Sequence, residues 1–246
     1  MDTRTSPLST FIPAIGLFLV ACTGSPDGID QELQPPVAEA SCDDVATGLP
    51  SDFTLGPGVS ITDEENYAWD WDVDIDAPNP IDEIDRLLID LESKGWETIL
   101  GREVDPTYGN VDLSAFAYKG RELIYVNAPS ANQQTSFYVS YGRFPRNVGA
   151  LLDGLHIPAG AQITTVEWTT TLHTLLVMFD SDMSVESYTA EVESNFENVG
   201  WSMQADEDSG YSSAELGIDA GVRAWDEGNI GMYVWDATCE YQTPWQ

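Results

Sequence analysis

Lysine is almost missing from this chain. Two Lys and 7 Arg stand against 24 Asp and 18 Glu, for a formal net charge of -33. So few cations cannot gather the phosphates of DNA, RNA or an anionic lipid surface, which need clustered Lys and Arg. Histidine is scarce too, with only His156 and His173. Neither sits in an H-E-x-x-H pattern, and there is no G-x-S-x-G elbow, Walker loop or Rossmann glycine pattern. The common nucleophilic, zinc and nucleotide chemistries therefore have no scaffold in the sequence, and no catalytic residue is assigned. Only one uncharged apolar run, Phe11 to Ala21, is long enough to matter, which excludes a multi-span membrane protein. Apolar residues as such are not lacking. With 42% hydrophobic and 11% aromatic residues the 246-residue chain can build real cores, unlike a disordered acidic tail.

The run Phe11–Ala21 is too short to span a bilayer and fits the apolar region of a secretory signal peptide. It ends Leu19-Val20-Ala21-Cys22, followed by Thr23. These four residues resemble the lipobox of bacterial lipoproteins, in which the cysteine is acylated and becomes the new N-terminus. The resemblance implies a signal peptide over 1–21, lipidation at Cys22 and attachment to a membrane through that lipid only. Thr23, not being Asp, fits outer-membrane export if the host is Gram-negative. Residues 22–41, rich in Pro, Gly and acids, read as a tether. A flexible chain of that length spans roughly 20–25 Å. Two cysteines remain, Cys42 and Cys239. An exported compartment permits a bridge between them, worth about 5 kcal/mol of chain entropy; the alternative is two buried free thiols.

Beyond the tether the chain reads as a duplication. Unit one, 42–146, holds Gly58-Val-Ser-Ile61, Trp71-Asp-Val-Asp-Ile75 and a helical stretch closed by Gly95-Trp96. Unit two, 147–246, holds Gly160-Ala-Gln-Ile163, Leu176-Val-Met-Phe179 and a helical stretch closed by Gly200-Trp201. Further on, Ala117-Tyr118 aligns with Ala224-Trp225, and Tyr125-Val126 with Tyr233-Val234. Ile81, Ile84, Leu87, Leu88 and Leu91 make one apolar stripe, with Asn79 as cap and Gly95 as left-handed stop. Val185, Tyr188, Val192, Phe196 and Val199 make the second, between Ser184 and Gly200. The spacing predicts an α+β fold of two tandem repeats. Each would be an antiparallel sheet with one packed helix, ordered strand–strand–helix–strand–strand with room for a further strand. The pattern resembles repeated small α+β units of bacterial lipoproteins of unassigned function, through the Gly-Trp after the helix and the strand order. That resemblance carries no catalytic residues with it.

Two groups of residues could bind something. Asp70, Asp72, Asp74 and Asp76 alternate with apolar residues, the mark of a strand with one acidic face. Taken as a calcium loop from Asp72, Glu83 falls at the twelfth position, but Ala77 stands where glycine belongs, and Pro78 and Pro80 stiffen the chain. The stretch Asp206–Gly210, with Asp206 and Asp208, is a second metal candidate, short enough to bend around a cation. Trp69, Trp168 and Trp245 are candidate exposed aromatics that would stack on a sugar or a protein. No cofactor is implied, calcium being the one ion the aspartates would take. An acid-rich, lysine-poor surface also suits salty surroundings, where ions screen self-repulsion. The expected function is a non-enzymatic, lipid-anchored binding or envelope-structural module with a protein or glycan partner. The alternatives are a calcium-binding surface protein and a carboxylate-based hydrolase of extracellular glycans, which would need two facing carboxyls, one with a raised pKa.

Overall fold

Alternation of the apolar residues decides which way each strand of the first unit faces. The computed structural model describes residues 46–66, 70–105, 107–169, 174–205, 210–213, 216–224 and 229–236. Strands β1 (Ser60–Asn66) and β2 (Asp70–Asp76) pair antiparallel, and helix α1 (Pro80–Ser93) follows. Then come β3 (Glu97–Val104), β4 (Val111–Lys119), β5 (Glu122–Ala128) and β6 (Ser136–Arg143). The sheet order is β1-β2-β6-β5-β4-β3. Val73 and Ile75, Val139 and Tyr141, Ile124 and Val126, and Ala115 and Ala117 share one face, where they bury with Ile84, Leu87, Leu88 and Leu91 of α1. Asn79 caps the helix by accepting from the Asp82 amide, and Gly95 ends it at φ +84°.

The second unit repeats this plan. Helix α2 (Val148–Leu152) links the units, and β7 (Gln162–Thr169), β8 (Thr174–Asp180), helix α3 (Val185–Asn198), β9 (Gln204–Ala205), β10 (Gly210–Ser213), β11 (Ile218–Ala224) and β12 (Asn229–Asp236) follow. The order β7-β8-β12-β11-β10-β9 is the first sheet's order over again. Even the irregularity is shared. Thr62 between Ile61 and Asp63, and Thr164 between Ile163 and Thr165, each sit where the register of the first strand slips by one. Tyr188, Val192 and Phe196 of α3 bury against Val177, Phe179, Ala220 and Val234, while Val199 is partly exposed.

Two expectations are corrected. The fold is mostly β, not α+β: 47% of the described residues lie in strands and 19% in helices, in two tandem six-stranded antiparallel sheets. Each sheet has six strands, one more than the expected order with its further strand; Lys119 and Glu122 close β4 onto β5 across a two-residue turn with Gly120 at φ +63°, short enough to leave little break in the apolar pattern. The late landmarks are also one strand out. Ala117 and Tyr118 end β4, whereas Ala224 ends β11, the counterpart of β5; Tyr125 lies on β5 and Tyr233 on β12, the counterpart of β6.

The two sheets meet face to edge. Strand β7 lies over the β3–β4 side of the first sheet's other face, the one away from α1. A Cβ on Gly101 would come within 2.8 Å of the Thr165 Cα, so the backbones touch there and only glycine fits. The Val166 amide donates to the buried Ser114 Oγ at 2.8 Å. Phe116, Leu123 and Tyr125 of the first sheet join Phe144, Val148, Leu151, Val166 and Trp168 in one core. Arg146 donates to both carboxylate oxygens of fully buried Asp236, at 2.8 and 3.1 Å, and so clamps the linker to the last described strand. No described helix is long and apolar enough to cross a membrane.

Candidate functional site

Strand register lays the face away from α1 out in rows. One row runs Gly101, Ser114, Asn127, Tyr138, Asp74, Asp63 from β3 to β1; the next runs Ile99, Phe116, Tyr125, Ser140, Asp72, Glu65. Each row starts apolar or small under β7 and ends acidic in the open. The covered half is buried core, and the open half, on β5, β6, β2 and β1, carries two adjoining depressions. One, of about 410 Å³, is lined by Asp74, Tyr125, Asn127, Gln134, Ser136 and Tyr138, with Pro129 and Phe137. The other, of about 150 Å³, is lined by Asp63, Glu65, Asp72, Val73, Asp74 and Tyr138. Tyr138 and Asp74 belong to both.

Tyr138 is the hinge of this geometry. Burial and a hydrogen bond to the Asp72 carboxylate push its hydroxyl well above the ordinary tyrosine value, so it stays a donor. Ser140 donates to buried Asp70 at 3.0 Å. Oδ1 of Asp72 is buried and meets no hydrogen-bond donor among the described residues. Asn127 donates from Nδ2 to the Tyr125 hydroxyl at 3.0 Å, and burial pushes that hydroxyl up to about 12. Asp63 stands directly opposite Asp74, and Glu65 opposite Asp72. Like charges facing each other across a strand pair are destabilising. The sheet tolerates two such pairs side by side.

The aspartates of β2 do not form an ion cage. Asp70 is buried, Asp72 half-buried, and Asp74 and Asp76 exposed, spread along an extended strand. Residues two apart there lie about 6.6–7 Å apart. Among the described residues no three metal-binding side chains converge. Glu83, the twelfth position of the calcium-loop reading, is engaged elsewhere: its carboxylate accepts from Arg86 and from the Gly56 amide at 2.8 Å. Trp168 is corrected from exposed to buried; its ring packs on Phe144 with centroids 5.9 Å apart. Cys22, Cys42, Cys239, Trp69, Trp245, His173, Asp206 and Asp208 lie outside the described residues. Tyr138, Asn127 and Gln134 were not singled out from the sequence. The signal available was the polar residue at every second place of β6, Ser136-Phe-Tyr-Val-Ser140.

A third, wholly separate cleft of about 320 Å³ lies between residues 46–52 and Glu122, Tyr141 and Arg143. Its charged groups are engaged. Glu122 accepts from Tyr141 at 2.6 Å and from Arg143 at 3.2 Å. Hydrogen bonds from Trp96 and Lys119 hold the Asp52 carboxyl below the usual carboxylate range. A hydrolase needs one carboxyl kept protonated, the opposite of what Trp96 and Lys119 do to Asp52. His156 bonds Glu191 at 2.9 Å and stacks on Tyr188, with no nucleophile beside it among the contacts described. A scan against protein-family models and searches of curated proteins and of solved structures return no match to this chain.

Proposed function

We propose that this protein is an exported, lipid-anchored module that binds a partner through the open half of its first sheet, without chemistry of its own. The single observation that carries the binding face is the pair of depressions meeting at Tyr138, on a sheet surface that the second unit stops short of covering. Core packing explains the covered half and reaches Tyr125 and the flank of Tyr138, but not the exposed Asp63, Glu65 and Asp74 beyond them. The lipobox at Leu19–Cys22 supports the anchor, and the tether that follows would hold the face clear of the headgroups.

Two measurements test the reading. Radiolabelled palmitate should be incorporated into the protein in a lipoprotein-processing bacterium and lost in Cys22→Ala; equal labelling of the variant removes the anchor. Photo-crosslinkers placed at Asn127 and Gln134 of the full chain should capture envelope material that crosslinkers at Ile89, on the exposed side of α1, do not. Capture that is equal at both places, or a turnover activity that copurifies with the chain, overturns the binding-face reading.

A further inference from the structure

We infer that residues 46–59 form a strap held down by charge, and that its release lengthens the tether. The inference rests on the anchor reading, because the strap is the first described segment after the tether. It contains no helix or strand, and only Ala46 in it is buried. Both lysines of the chain and one of its arginines close on it. Lys94 donates to the Asp52 carbonyl at 2.5 Å, Lys119 to the Asp52 carboxylate at 3.2 Å, and Arg86 to the Thr54 carbonyl at 2.6 Å. Carboxylates of α1 complete the fastening. Glu83 accepts from the Gly56 amide at 2.8 Å, and Asp90 from the Thr54 hydroxyl at 2.5 Å. Glu83, Arg86, Asp90 and the C-cap Lys94 follow at helical spacing, so one row along α1 grips the strap.

Apolar packing holds the strap less firmly. Leu49, Phe53, Leu55 and Val59 lean on the core only half-buried. Residues 46–52 line the polar cleft of about 320 Å³ instead of filling it. The segment entering unit two is fastened differently. Gly154 and Leu155 are buried, and the Trp201 ring lies against Gly154. Asn195 and Tyr188 give uncharged donors to the Asp153, Gly154 and His156 carbonyls. Segments with few buried apolar contacts open locally, ahead of the whole fold. Exposed ion pairs weaken as salt rises, while a surface of excess negative charge gains from the same screening. Salt therefore pushes the strap and the rest of the fold in opposite directions. Once free, the fourteen residues add at most about 50 Å of contour to the tether. The β1–β2 ladder, which starts at Ser60, stops the release there.

The test is hydrogen exchange of the full chain in detergent, read in about 0.1 M and about 1 M sodium chloride. The Phe53, Gly56 and Val59 amides should exchange ahead of those in α1 and β5, and roughly threefold faster in the higher salt. The amides of α1 and β5 should slow or hold steady. Lys94→Ala and, separately, Lys119→Ala should bring the high-salt exchange of the strap to low salt, with α1 and β5 unchanged. Pulling the full chain between its two ends in optical tweezers should give one early extension of no more than about 50 Å, at lower force in Lys94→Ala, before the main unfolding step. Strap amides that exchange only together with α1 and β5 overturn the inference. Local exchange indifferent to salt and to both lysine variants overturns the hold by charge. A pulling trace without the early extension overturns the lengthening. Palmitate labelling at Cys22 reads the anchor alone, and none of these outcomes moves it.

Discussion

The two sheets agree on the helix side and part company on the other. Val73 and Ile75 of β2 correspond to Val177 and Phe179 of β8, and Val139 and Tyr141 of β6 to Met232 and Val234 of β12; all are buried. On the reverse side Asp70, Asp72 and Asp74 correspond to Thr174, Leu176 and Met178, and Tyr138, Ser140 and Gly142 to Gly231, Tyr233 and Trp235. Packing against a helix fixes one face of a duplicated sheet and leaves the other free to diverge. In the second unit that free face became half-buried and apolar, with the Tyr233 ring laid across Gly221. In the first it became acidic. The segments entering the units differ the same way. Arg86 donates to the Thr54 carbonyl in unit one, and Tyr188, standing where Glu83 does, donates to the His156 carbonyl in unit two. One orphan acceptor is satisfied by unlike side chains.

Helix-side truncations should have the largest effect and should not distinguish the units. Phe196→Ala, at a fully packed α3 position, is expected to cost about 3–5 kcal/mol, and Leu87→Ala on α1 about 2–5. Because the core crosses between the units, urea melts of either variant should remain a single transition. Two resolved transitions would mean the units unfold separately. Next comes Arg146→Ala, which removes two hydrogen bonds from the buried Asp236 carboxylate and should cost up to about 3 kcal/mol, read from the shift in the urea midpoint. A loss well under 1 kcal/mol would show that the clamp is not holding the linker.

Gly101→Val probes the face-to-edge contact alone. The added branches meet the Thr165 backbone and should cost about 1–3 kcal/mol, with hydrogen exchange rising in β3 and β7 before it rises under the helices. Glu83 supplies a pH effect peculiar to unit one. Burial works to raise its pKa, but hydrogen bonds from Arg86 and Gly56 prevail and hold it low. A folded pKa below the unfolded one, about 4.3, adds stability above that pH, which is lost as pH falls through the folded value. Glu83→Gln should therefore flatten the acid limb of the stability curve below about pH 4.3 and leave its neutral-to-alkaline shape alone. The smallest effect is Asp74→Asn, which removes one facing pair with Asp63. It should raise the melting temperature slightly in low salt and not at all in high salt, where screening already hides the repulsion.

The helix side was legible because burial writes a period into sequence. Asn79, Ser184, Gly95 and Gly200 sit where spacing put them, as do the stripes apart from Val199, which is exposed past the end of α3. The acidic face of β2 was legible for the same reason. Three things were not. Trp168 lies between Glu167 and Thr169, and nothing local shows that Phe144 covers it. Ala117-Tyr118 and Ala224-Trp225 share residue types, but Ala117 lies in β4 and Ala224 ends β11, so the likeness does not mark a place in the repeat. The depressions at Tyr138 depend on cross-strand neighbours from β1, β2, β5 and β6, up to some seventy residues apart along the chain, as Ser140 and Asp70 are.

The contact between the units pairs unlike surfaces, the reverse face of one sheet with the edge strand of the next. Such a heterologous joint does not close on itself, and repeated with identical copies it would propagate into an open array. The landing area for β7 is the long β3–β4 pair, eight and nine residues. Its counterpart in unit two is β9 and β10. The joint therefore has a direction: the first unit gives up part of its reverse face, and the second gives up only its edge strand.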